Sequence, residues 1–446
     1  MKRILTIAAS DSGGGAGIQA DIKTITVLGG FAMSAITALT AQNTRSVEAI
    51  HPVPPRFIEQ QIDAVLQDIG ADAVKTGMLF TADAIQTVSR ALQKYGIVLS
   101  VIDPVMLSKS GSSLIENAAI KTLTQELFPL AFMVTPNLDE ASTLCAMSVD
   151  SPQKMKEAAL MLYRWGPKHV LIKGGHLAGD CMDLLYDGHD FTELTSSRIT
   201  TKNTHGTGCT FSAAIATELA KGFNPPEAVR RAKDFITTAI RFSLPLGSGH
   251  GPTNPYANIA REAQLFQCSA ELENAYKKLL DEKIGRLIPE VQSNFGYAIA
   301  SAALPEDIVA FPGRIIKFHD TIAKISAPQA GASRHIAKII LTAYKADRSY
   351  RAAMNIIWNP DLIEKCRRLG FTVCEFDRRQ EPPDVKELEG STLEWGTQQA
   401  ISLLGRVPDI IFDRGDAGKE PMTRVLGTGP MDVADKILNI AKEKQA

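Results

Sequence analysis

Short, almost wholly apolar runs alternate with amphipathic stretches through the first 174 residues, and this alternation restricts the fold more than any other feature. The runs lie at residues 3–9, 33–38, 73–76, 98–103, 132–135 and 170–173. Helical periodicity fills most of the gaps, at 57–69, 82–95, 118–127 and 153–165, and an earlier helix ends near Leu28. Strands that are apolar at consecutive positions have both faces to cover. The pattern therefore predicts an α/β sandwich with a mainly parallel sheet flanked by helices. In such a sheet ligands bind beyond the carboxyl ends of the strands. Polar residues gather there: Asp11, Thr76-Gly77, Asp103, Asn137 and Lys173.

The pattern changes after GSGHGPTNPY (247–256), and 446 residues exceed a single core. The expected organisation is a first domain at 1–262, a linker at 263–269 and a separate α/β or α+β domain at 270–446. Strand-like runs in the second domain fall at 315–318, 354–357, 371–376 and 410–412. Helices fit at 270–282, 334–344, 360–369, 393–404 and 431–442. A formal net charge of −1 argues against nucleic acid or a membrane surface as partner. No apolar run reaches the roughly 20 residues that span a bilayer. The opening MKRILTIAAS is cut short as a signal peptide by Asp11 and the glycines, and reads as a first strand. Six cysteines without a CxxC pair fit a reducing cytoplasm, with neither disulfides nor a zinc site.

KNTHGTGCTFSAA (202–214) has the character of a ligand-facing helix start. The first-turn amides of a helix have no partner inside it, and the macrodipole adds partial positive charge, which suits a phosphate or a developing oxyanion. Gly206 and Gly208 leave that start open, and Cys209 places a thiol in it, where a helix N-terminus is expected to lower the pKa. The competing reading is a small buried cysteine. SGGGAG (12–17) follows a strand and opens a helix, but it matches neither a dinucleotide fingerprint nor a P-loop. It is either a tight turn or a place where the backbone approaches a ligand. Asn137 and Glu140 fit a capped helix start, and Glu140 with Asp103 also suits water-mediated Mg²⁺. Lys173, at a strand end before two glycines, suits a nucleotide phosphate or is a snorkelling surface lysine.

DSGGGAGIQAD (11–21), TALTAQNT (37–44), VKTGML (74–79), DPVM (103–106), TPNLDEA (135–141), KGGH (173–176) and KNTHGTGCT (202–210) occur in this order. Together, over about residues 1–258, they resemble the hydroxymethylpyrimidine/phosphomethylpyrimidine kinases of the ribokinase-like superfamily. The resemblance implies two successive ATP-dependent phosphorylations of 4-amino-5-hydroxymethyl-2-methylpyrimidine. It implies that Gln42, Asp21 and Met78 form the pyrimidine pocket, and that Asp103, Asn137 and Glu140 act around Mg-ATP. Lys173 would neutralise phosphate charge, residues 206–209 would form the anion hole, and Cys209 would be the base. Homodimers are common in this superfamily, so a homodimer is implied as well.

In the second half, FPGR (311–314), ASRH (332–335) and DRGD (413–416) with GKEP (418–421) carry basic groups suited to a phosphate or diphosphate. Their order resembles the archaeal-type thiamine-phosphate synthase domain. That resemblance implies condensation of the pyrimidine diphosphate with thiazole phosphate, releasing pyrophosphate. Arg314 would bind the diphosphate and His335 would assist its departure. Arg334, Asp377, Arg414, Asp416 and Glu420 are further candidates for substrate or Mg²⁺ contact. Two other readings compete: the same kinase with a non-catalytic ligand-sensing second domain, and a pyridoxine-type vitamin kinase.

Overall fold

The computed structural model describes residues 1–107, 114–175, 181–382, 391–416 and 418–443. The chain divides into two compact units, Met1–Ile259 and Ala260–Ala446.

The first unit is built on nine strands: β1 (Arg3–Asp11), β2 (Phe31–Gln42), β3 (Val47–Pro52), β4 (Ala73–Thr76), β5 (Ser100–Ile102), β6 (Met133–Val134), β7 (His169–Gly174), β8 (Cys181–Tyr186) and β9 (Phe191–Ser196). They are ordered 3-2-1-4-5-6-7-8-9. The six from β2 to β7 are parallel, and β3, β8 and β9 add antiparallel edges. Side chains alternate between two cores. Leu5, Ile7, Val74, Ile102, Val134 and Ile172 point to one face. Ile4, Ala73, Val101, Met133 and Leu171 point to the other. Each buried aliphatic side chain contributes about 1.5–3 kcal/mol relative to exposure, which is why the central strands have no polar face.

The edges escaped the search for continuous apolar runs because they do not need to be covered twice. β9, FTELTS, keeps an exposed face, and the β8–β9 hairpin turns at Asp187-Gly188, where Gly188 has φ +98°. The helix Thr207–Ala220 is buried from Thr210 to Ala220. Its small residues let it lie on the sheet among helices, and its open end points to the strand carboxyl ends.

The second unit holds β10 (Phe295–Ala298), β11 (Ile308–Ala310), β12 (Ile315–Phe318), β13 (Thr321–Lys324), β14 (Gln329–Ala330), β15 (Ala352–Ile357), β16 (Val373–Glu375), β17 (Ile410–Asp413) and β18 (Met422–Gly427). Seven form one sheet in the order 14-11-10-15-18-17-16, and β12 and β13 form a separate hairpin. Only the β16–β17 pair is parallel. The unit is therefore a largely antiparallel sheet covered by helices, including Arg334–Ala346 and Pro430–Lys442, whose Ile336, Ile340, Val433 and Ile437 enter its core.

Residues 263–269, expected as a linker, lie inside one helix, Ala257–Asp281. The stretch contains neither glycine nor proline, and Leu265, Cys268, Leu272, Ala275, Tyr276 and Leu279 keep one buried stripe through it. The substitution Gln267→Pro is expected to cost about 3 kcal/mol or more, because it removes a helical hydrogen bond and clashes one turn back. A urea melt reads this as a lower midpoint; an unchanged midpoint would restore the linker.

Candidate active site

Asp11 organises the entrance to the first site. Its carboxylate accepts from the amides of Gly13 (2.8 Å), Gly15 (3.0 Å) and Ala16 (2.8 Å), and lies 2.9 Å from His205 Nε2. Burial pushes this carboxyl up, and the His205 and amide contacts outweigh it, leaving it below the ordinary range. The glycine loop is thus a turn wrapped around its own aspartate. Its close approach is to protein: a Cβ on Gly15 would lie 2.3 Å from the His205 ring. Gly206, the N-cap of Thr207–Ala220, has φ +77°, and a Cβ there would lie 1.8 Å from the Gly15 carbonyl oxygen.

A cavity of about 540 Å³ opens at this helix start. Of the expected residues it is lined by Gln42, Met78, Asp103, Asn137, Glu140, Lys173, Gly206, Gly208 and Cys209. Lys173 Nζ lies 2.7 Å from Asp103, which also accepts from Thr135 (3.1 Å) and Ser212 (3.3 Å). Burial pushes Asp103 up, but Lys173 and Lys75 prevail and keep it below its usual value; burial likewise opposes the Lys173 charge, which Asp103 and Glu140 hold. A Cβ on Gly208 would come within 3.3 Å of Lys173 Nζ, so the glycine keeps the ammonium accessible. Asn137 and Glu140 form a reciprocal capping box: the Glu140 amide donates to Asn137 (2.9 Å) and the Asn137 amide to Glu140 (2.8 Å). Burial raises Glu140 to about 7 against the pull of Lys173.

Two expectations change. Asp21 does not line the cavity: it is fully buried, held by Lys75 (2.9 Å) and the Thr6 hydroxyl (2.6 Å). Burial opposes the Lys75 charge and Asp21 outweighs it, so the lysine stays an ammonium. The Cys209 thiol is not lowered by the helix start. Burial, with Asp21 and Asp103 nearby, pushes it up to about 11, although Lys75 and the Gly17 amide pull the other way.

Sequence reasoning placed Asp11 at the ligand-binding strand ends without giving it a role, and passed over Lys75 and His205. A lysine in the middle of the four-residue strand AVKT was the available signal for Lys75. His176, in the KGGH motif, lies outside the described residues.

The second unit has its own cavity, of about 600 Å³, where Arg314, His335 and Glu420 meet. Arg314 adopts φ +70° and donates to the Val291 carbonyl. Glu420 accepts from the Glu290 and Val291 amides, 3.0 Å each. His335 stands on the first turn of Arg334–Ala346. Arg334, Asp377, Arg414 and Asp416 do not line the cavity. Asp377 pairs with Arg379 (2.8 Å) and Arg414 with Glu375 (2.7 Å), so neighbours already balance them. Asp416 closes a tight turn through two backbone bonds with Lys419. The lining includes residues the sequence did not single out, among them Asn294, Asn355, Arg378, Lys419 and Arg424.

The sheet order, the glycine-framed helix start and the lysine–aspartate pair at the strand ends define the first unit as a ribokinase-like kinase domain. The phosphomethylpyrimidine kinase family matches residues 11–254, and the thiamine-phosphate synthase ThiN family matches residues 271–439. The chain belongs to the phosphomethylpyrimidine kinase family. The thiamine biosynthesis bifunctional protein ThiED of Geobacter sulfurreducens is 55% identical over 252 residues, which are 56% of this chain and 51% of that protein. The chain thus matches about half the length of that bifunctional relative. The hydroxymethylpyrimidine/phosphomethylpyrimidine kinase of Bacillus subtilis is 50% identical over 257 residues, 57% of this chain and 95% of that protein. Among solved structures, an ADP complex of Bacillus subtilis pyridoxal kinase superposes with a TM-score of 0.55 at 40% identity, covering 58% of this chain and 99% of that one. Pyridoxal kinase from Staphylococcus aureus with AMP-PCP and pyridoxal gives 0.54 at 37%, covering 58% and 94%.

A thiol near 11 is almost entirely protonated at neutral pH. Alkylation of Cys209 at pH 8, followed by peptide mass spectrometry, is expected to run at least tenfold slower than that of a free cysteine, whose ordinary pKa is about 8.5. The rate should climb with pH well past 9. Labelling as fast as free cysteine at pH 8 would contradict the burial argument.

Proposed function

We propose that the chain is a bifunctional enzyme of thiamine biosynthesis. The first unit transfers phosphoryl groups from ATP to hydroxymethylpyrimidine and then to its monophosphate. The second joins the resulting diphosphate to thiazole phosphate, forming a C–N bond as the C–O bond to pyrophosphate breaks. The observation that carries the kinase reading is the Asp103–Lys173 pair facing the open amides of Gly206, Gly208 and Cys209 across one cavity. Lys173 neutralises transferring phosphate charge, and those amides receive it. Gln42 presents an amide, both donor and acceptor, to the aminopyrimidine edge. The base role that the resemblance gives Cys209, taking the hydroxyl proton of the substrate, falls to the small thiolate fraction of a thiol that burial keeps mostly protonated.

Magnesium fits this donor set in one way. It keeps several waters and needs only one or two carboxylates beside substrate phosphates. Asp103 and Glu140 supply two in one cavity, and among the described residues no cluster of three ligating side chains would cage a metal alone. Bound there, Mg²⁺ would neutralise phosphate charge. The synthase reading rests on Arg314 and His335 sharing the second cavity, with Arg314 as the diphosphate ligand. No helix among the described residues is long and apolar enough to cross a membrane. Six free thiols fit a reducing cytoplasm, and the exposed Phe31, Leu39 and Phe57 offer apolar surface for a homodimer. Pyridoxine-type phosphorylation is the second reading, favoured by the likeness to pyridoxal kinases; pyrimidine alcohol outcompeting pyridoxine in a mixed-substrate assay would set it aside.

Cys209→Ala is expected to lower kcat for pyrimidine phosphorylation by orders of magnitude with little change in the KM for ATP. Near-normal turnover would remove Cys209 from the chemistry. Arg314→Ala in the full chain is expected to abolish thiamine phosphate formation while pyrimidine diphosphate still accumulates. Thiamine phosphate made at the normal rate would displace Arg314 from the site.

A further inference from the structure

Asp413, at the end of β17, is fully buried and holds two arginines at once. Arg378 Nε lies 2.6 Å from Oδ1 and Nη2 3.2 Å from Oδ2, and Arg424 Nη1 lies 2.8 Å from Oδ2. Arg378 is 8% exposed and Arg424 2%. Both line the second cavity. Asp413 is the only carboxylate paired with either arginine among the described residues. Glu381, one turn beyond Arg378, is buried but forms no ion pair with them.

Two permanently charged guanidiniums against one carboxylate leave an excess positive charge in a largely dehydrated place. Such a charge is costly unless something balances it. Each guanidinium carries five N–H donors, and Asp413 engages two on Arg378 and one on Arg424. Arg424 also lies over the Phe376 ring, 5.3 Å from its centre, which fixes its plane. Both arginines are thus pre-oriented, with donors to spare. Arg314 is anchored differently, through the Val291 carbonyl, so the cavity holds two separately mounted arginine groups, with Lys419 also on its wall.

We propose that the Arg378–Asp413–Arg424 cluster seats the phosphate of the monophosphorylated azole substrate, distinct from the diphosphate position at Arg314. The assignment rests on the synthase reading for the identity of the ester. Its physical content is a buried, forked anion site completed by the ligand. Asp413 is a positioning residue: it aligns the two guanidiniums and keeps their charge from forcing the site open.

The test uses the full chain and calorimetry with three probes: thiazole phosphate, its unphosphorylated alcohol, and pyrophosphate. The wild-type protein is expected to bind the phosphate ester at least tenfold more tightly than the alcohol. Arg378→Gln should shrink that preference below threefold while pyrophosphate affinity changes less than threefold. Arg378→Lys, which keeps the charge and loses the fork, should fall between; it takes over the test if the Gln variant lacks a cooperative thermal melt. A preference unchanged in these variants, or pyrophosphate affinity falling in parallel with the ester, overturns the assignment. A wild-type chain that shows the tenfold preference yet makes no thiamine phosphate keeps the phosphate seat and removes the synthase reading instead. A chain without the preference removes the seat, whatever its turnover.

Discussion

The first unit depends on one close approach of backbone to backbone. Gly206 presses against the Gly15 carbonyl so tightly that no side chain fits between them, and its positive φ starts the helix Thr207–Ala220 at that point. Everything with chemistry is referred to this contact. The loop before Gly15 is drawn tight by three amides donating to Asp11, and His205, next to Gly206, closes on the same carboxylate. The start of the helix is thereby fixed relative to β1. Lys173 and Asp103, at the ends of β7 and β5, inherit a defined position relative to the open amides. A longer side chain at either glycine would displace the open helix end from Lys173.

The burial that makes this arrangement firm also sets its charge states. Lys75 and Asp21 form an ion pair with no exposure at all. Breaking such a pair from one side is strongly destabilising, whereas the pair itself adds little net stability. Its value lies in what it holds apart. Asp21 cannot reach the cavity, and Lys75 keeps a positive charge beneath Cys209. That charge does not win: burial together with the two nearby aspartates leaves the thiol near 11. A helix N-terminus lowers a thiol pKa when the sulfur is solvated and the dipole is the main field acting on it. Here the sulfur is only partly exposed on the cavity wall and has carboxylates for neighbours.

The central strands were legible because burial on both faces leaves a nearly pure apolar signature. The helix start was legible because glycine at Gly206 and Gly208 is a steric requirement with a visible spelling. What escaped was residue pairing across long sequence separations. Asp413 meets Arg378 and Arg424 from different segments, and nothing near β18 announces that the arginine in MTRVLG is balanced from β17. Asp377 and Arg414 failed for the converse reason. Each looks reactive alone, and each is neutralised by a partner, Arg379 or Glu375, that the eye passes over. The antiparallel strands of the second unit were hard to see because one covered face demands only alternation. The continuous helix Ala257–Asp281 was hidden by the expectation that a boundary between domains should be irregular.

The two cavities differ in how they hold charge, and the difference follows from what each is proposed to receive. In the first, the wall sets Lys173 against Asp11, Asp103, Asp139 and Glu140, so carboxylates outnumber the lysine, and one of them, Glu140, sits near 7. Such a wall suits a nucleotide that arrives with its own divalent cation, because excess positive charge would compete with that ion. In the second, one buried carboxylate serves two guanidiniums, and Arg314 adds another beside it. An excess of fixed positive charge suits substrates whose phosphates must be held, and one of which must leave as an anion. The arginines by themselves make that cavity attractive to phosphate. Each unit therefore carries charge suited to the reaction proposed for it.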